Sequence, residues 1–113
     1  MQDIMQLQPV LTDLIDRLHA LLPNHVKEIL LFGSYARNEA EEGSDIDVLV
    51  LTDLPRDVIA QYNWKLGELA AALLMMHDIV VSPIIENQDY FSHHVNILPL
   101  YRNVRSEGVS ISA

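Results

Sequence analysis

Asp45 and Asp47 stand one residue apart at the head of an apolar run, D-I-D-V-L-V-L over residues 45–51. Strand interiors are poor in aspartate. On a strand, side chains i and i+2 share a face about 6.5 Å apart along the chain. The two carboxylates would therefore point together while Ile46 and Val48 point into a core. Two close carboxylates repel, and one is pushed toward protonation. A divalent cation removes that conflict. Oxygen donors without sulfur favour Mg²⁺ or Mn²⁺. Alone, D-x-D is a weak motif.

Upstream, Gly33-Ser34 follows the apolar run V-K-E-I-L-L-F of residues 26–32. Glycine lets a ligand approach the backbone closely. Free N–H groups where a helical turn starts bind phosphate, and the serine hydroxyl adds a donor. Ser34 would equally serve as an N-cap. Asp78 heads a third apolar run, D-I-V-V-S-P-I-I over 78–85. From an adjacent strand it would complete a metal cluster or accept a proton from an attacking hydroxyl. Its other role is to cap the preceding helix. Arg37 would touch phosphate or pair with Glu39, Glu41 or Glu42. The neighbours His93 and His94 lack metal-site spacing.

The elements that must hold these residues read as α-β-β-α-β-α. Apolar spacing predicts a helix over 4–22, with Pro9 in its first turn. Strands are expected over 26–32, 45–51 and 78–85, with Pro83 marking an edge. One long helix is expected from Pro55 to about Met76. A further helix over 92–107, interrupted at Pro99, ends at Gly108, and a short strand follows over 109–111. The fold class is α/β (α+β), a small mixed sheet flanked by helices.

The chain has 113 residues and suits one domain over 1–113. It has no cysteine, which excludes a thiolate metal site or a cysteine nucleophile. The net charge of −9 disfavours direct nucleic-acid binding. The N-terminus shows no basic, apolar leader pattern, and no apolar run is long enough to span a bilayer. A cytoplasmic protein is expected.

Gly33-Ser34-Tyr35-Ala36-Arg37-Asn38, then Ser44-Asp45-Ile46-Asp47-Val48-Leu49-Val50, resembles the minimal nucleotidyltransferase (MNT) group of the DNA polymerase β-like superfamily. The closing segment from Pro99 to Val109 is also similar. Asn38 stands where that group has glycine, and asparagine tolerates positive φ. The resemblance implies a polymerase β-like fold with a catalytic core over 26–85 and a C-terminal helix and strand over 92–111. It implies two Mg²⁺ ions (or Mn²⁺) on Asp45, Asp47 and Asp78. It implies ATP as substrate, with nucleotide contacts from Gly33, Ser34, Arg37 and Ser44. It further implies the antitoxin of a type VII-like toxin–antitoxin pair, transferring AMP to a tyrosine of a HEPN-domain RNase toxin. The alternative is an antitoxin that neutralises by binding alone.

Overall fold

The computed structural model describes residues 4–112. A 3₁₀ turn, Ile4–Leu7, leads into α1, Gln8–Leu21, with Pro9 in its first turn. There proline costs no internal hydrogen bond. β1, Val26–Phe32, and β2, Ile46–Thr52, follow. Next come α2, Arg56–Ala60, α3, Asn63–His77, and β3, Val81–Asn87. α4, Gln88–His94, α5, Pro99–Glu107, and β4, Val109–Ser112, close the chain.

The four strands form one mixed sheet in the order β3-β2-β1-β4. β1 runs antiparallel to β2 and β4, while β2 and β3 are parallel. β3 is an edge, where the missing N–H of Pro83 is tolerated. The period of two sorts the sheet's side chains between two cores. Ile29, Leu31, Ile46, Val48, Val50, Val81 and Ile85 join α1 and α3 residues such as Leu14, Leu18 and Leu73. Phe32, Leu49 and Leu51 face the other way, onto Phe91, Val95, Tyr101 and Val104 of the α4–α5 segment. Being covered on both faces explains why β2 is apolar almost throughout.

Three expectations need correction. The long helix expected from Pro55 is two helices, broken at Gln61-Tyr62. Val58, Ile59, Tyr62 and Asn63 are weak helix formers, and the break lets Ile59 and Leu66 both reach the core. The helix expected over 92–107 is likewise two, and its first part starts earlier, at Gln88. The Asn87 side chain caps it by accepting the Tyr90 N–H at 2.9 Å. The third strand begins at Val81 instead of residue 78. Asp78 is the C-cap of α3 in the left-handed conformation, φ 57°. Aspartate is among the few residues that accept this geometry.

Candidate active site

Phe32 pairs with Asp47 across β1 and β2, so the chain leaving β1 turns directly beside the Asp47 carboxylate. Gly33 makes that turn at φ 78°. A Cβ added to Gly33 would lie 2.5 Å from Asp47 Oδ2. Only glycine lets the backbone and the carboxylate come this close. Residues 34–38 then form consecutive turns, held by Arg37 N–H to Gly33 O at 3.1 Å and Glu39 N–H to Ser34 O at 2.8 Å. Asn38 supplies the second positive φ, 58°. Ser44 closes the next loop, its Oγ accepting the Glu41 N–H at 2.9 Å.

Asp45 lies just before β2 and is exposed, whereas Asp47 is the second residue of β2 and half-buried. Burial pushes the Asp47 carboxyl above its ordinary range. The Asp45 charge pushes it the same way, and Arg37 acts against both. The like-charge conflict expected from spacing is present, with desolvation as the larger cause. Arg37 itself donates through Nε to Glu39 at 3.1 Å and through Nη1 to Glu107 of α5 at 3.0 Å. The guanidinium ties the Gly33–Asn38 loop to the C-terminal helix.

Asp78 is not brought to this pair. It lines a cleft of about 330 Å³ with Tyr35, Glu42, Gly43, Ser44, Leu74, Ile79 and Val80. Tyr35 and Ile79 belong to the α1–α3 side of the sheet, whereas Asp47 shares its face with Leu49 and Leu51 on the other side. Among the described residues, no three histidine or acidic side chains form a group able to hold a metal. The donor set suits one hard cation on Asp45 and Asp47, where a desolvated carboxylate lies beside a second negative charge. Among the described residues, donors for a second ion are not assembled.

A buried polar network farther along β3 escaped sequence reasoning. Glu86 is 3% exposed. It accepts from the Tyr101 hydroxyl, from Arg56 Nε at 3.2 Å and from the Asn87 N–H at 2.8 Å. The Arg56 guanidinium lies over the Tyr90 ring, 3.7 Å from its centroid. Burial and the Glu86 carboxylate together push the Tyr101 phenol upward. One glutamate in an apolar run was the available signal.

The chain is similar to known proteins in sequence and fold. The family described as "Nucleotidyltransferase domain" matches residues 11–107. A Methanocaldococcus jannaschii protein, named by inference protein adenylyltransferase MJ0604, is 31% identical over 101 residues, 89% of this chain and 93% of that protein. A second from the same organism, MJ0141, carries the same kind of name. It is 30% identical over 82 residues, 72% of this chain and 80% of the relative. Among solved structures, a toxin–antitoxin crystal structure with AMP-PNP superposes with a TM-score of 0.62 at 24% identity, covering 90% of this chain and 72% of that one. Another holds a tri-AMPylated Shewanella oneidensis HEPN toxin with its MNT antitoxin. It gives 0.57 at 24% identity, covering 94% of this chain and 71% of that one. The solved structures share the fold. With the family match spanning most of its length and a relative above 30% identity along nearly all of it, the chain belongs to the nucleotidyltransferase domain family of enzymes.

Proposed function

We propose that residues 1–113 act as one minimal nucleotidyltransferase domain and as the antitoxin of a HEPN-domain RNase toxin, transferring AMP from ATP to a toxin tyrosine. The observation that carries this reading is the close seat of Asp47 against Gly33 at the open end of β2. A turn rich in backbone N–H groups there adjoins two carboxylates, which suits a phosphate chain bridged to a cation. The relatives' adenylyltransferase names and the AMP-PNP complex of the same fold support the nucleotide assignment.

In the reaction a tyrosine oxygen attacks the α-phosphorus. The bond to the β,γ-pyrophosphate breaks, pyrophosphate departs with the electron pair, and the phenolic proton passes to water. Asp45 and Asp47 would hold Mg²⁺, which when bound offsets charge on the phosphates. Gly33 and Ser34 position the phosphates through the turn, and Ser44 keeps the loop before Asp45 in shape. Arg37 steadies the Gly33–Asn38 turn from its two carboxylate partners. The role proposed is cytoplasmic and without direct nucleic-acid binding, the latter supported by the chain's charge of −9.

The test is Mg²⁺-dependent labelling of the co-expressed toxin with AMP from ATP. Labelling should disappear in Asp45→Ala and Asp47→Ala. Normal labelling by both variants sinks the assignment. Neutralisation by binding alone is the second reading. It is favoured by the apolar side chains that α3 leaves in solvent, Trp64 at 81% and Met75 at 87% exposure. Variants that fail to label yet still neutralise at native expression would select it.

A further inference from the structure

The resemblance to minimal nucleotidyltransferases implies a carboxylate trio holding two ions, and this chain assembles a pair. The sheet register shows what stands in the third place. β2 and β3 run parallel, with Asp47 paired with Ser82. Paired residues on neighbouring strands lie about 4.8 Å apart and point to the same face. The pairs around them agree. Ile46 and Val81 both enter the α1–α3 core, whereas Leu51 and its partner Glu86 face α4 and α5. Ser82 is half-buried beside Asp47 at the open end of that face.

Among the described residues, Glu41 and Glu42 lie exposed on the loop before Asp45, off the strands that fix Asp47 and Ser82, and other acids are placed away from the pair. Asp78 is held four residues earlier, in the left-handed cap of α3. Glu86 lies at the far end of β3 and is engaged by Tyr101, Arg56 and the Asn87 N–H. Glu39 and Glu107 are paired with Arg37. A neutral serine hydroxyl cannot replace a carboxylate in charge. With Asp45 and Asp47 engaged on a first ion, a second would have to rest on phosphates, water and a neutral hydroxyl, with no carboxylate of its own to anchor it to the protein.

We propose that the site takes a single divalent cation, shared by Asp45, Asp47 and the phosphates of the bound nucleotide, and that Ser82 is the residue that limits it to one. This rests on the nucleotide site proposed above. It predicts that Ser82→Asp, which restores a carboxylate beside Asp47, adds a second ion.

The experiment is anomalous diffraction at the manganese edge, on crystals of the full chain grown with Mn²⁺ and a non-hydrolysable ATP analogue. One manganese peak per chain is expected at Asp45 and Asp47 in the natural sequence, and two in Ser82→Asp. Two peaks at Asp45 and Asp47 in the natural sequence would overturn the proposal while leaving the nucleotide site intact. A single peak in a folded Ser82→Asp variant would overturn the role given to Ser82. Neither nucleotide nor manganese at the site would overturn both this proposal and the function on which it rests.

Discussion

At residue scale the site depends on one missing Cβ. Gly33 must adopt φ 78°, and it must leave room for Asp47 Oδ2. Gly33→Ala violates both demands at once. A strained backbone position of this kind costs about 1–3 kcal/mol, and the carboxylate must also move. The variant should melt at lower temperature than the natural protein and bind an ATP analogue at least tenfold more weakly. Thermal unfolding and calorimetric titration measure the two effects separately. A variant that loses neither would show that Asp47 can leave Gly33 without consequence. Gly43 makes a useful control. It also has positive φ, 89°, but an added Cβ there meets nothing within 4 Å. Gly43→Ala should therefore lose stability through backbone strain while leaving Asp47 in place.

At element scale, α4 and α5 are held to the sheet through the end of β3. Removing the Tyr101 hydroxyl leaves the buried Glu86 carboxylate short of a donor. Desolvating an unsatisfied polar group costs about 1–3 kcal/mol, more when it is charged. Tyr101→Phe should lower stability by about that amount, as read from denaturant unfolding at pH 7. An unchanged midpoint would mean that Arg56 and the Asn87 N–H satisfy Glu86 by themselves. The elements were legible in the sequence wherever local pattern and tertiary packing agree. β1, α1, the edge character of β3, and the stop at Gly108 followed from periodicity, proline and glycine. At Gly108 an added Cβ would clash with the Val104 carbonyl. The break between α2 and α3 was not legible, because the weak helix formers there only permit it, and what imposes it is the packing of Ile59 and Leu66 against a core formed by distant segments. Nor was the register of β3. An apolar run with Asp78 at its head reads naturally as a strand with a charged mouth. Only the parallel pairing with β2 reveals that Ser82, and not Asp78, stands beside Asp47.

At the scale of the whole molecule, the site trades stability against ligand binding, with Asp47 at the centre of the trade. Its carboxyl is raised from the ordinary 3.8 by burial and by Asp45. A carboxyl raised in the folded state favours folding when protonated. That contribution is fully present below pH 3.8 and is lost as pH rises through the folded-state value. At pH 7 the charged Asp47 therefore weakens the unliganded fold. Asp47→Asn keeps the shape, removes the charge and relieves Asp45. The unliganded variant should melt above the natural protein at pH 7, and the difference should shrink as pH falls below the carboxylate range. Ligand reverses the order. A cation and nucleotide at a hundredfold excess over Kd add about 2.7 kcal/mol to a chain that binds them. The natural protein should gain that increment, and Asp47→Asn should gain little. Melting curves taken with and without Mg²⁺ and a non-hydrolysable ATP analogue should thus exchange rank between the two proteins. If unliganded Asp47→Asn is the less stable at pH 7, the carboxylate holds the fold together. If its ligand-induced gain equals that of the natural protein, Asp47 is not a cation ligand. The crossing is expected because the charge that the fold tolerates poorly is the one the cation needs.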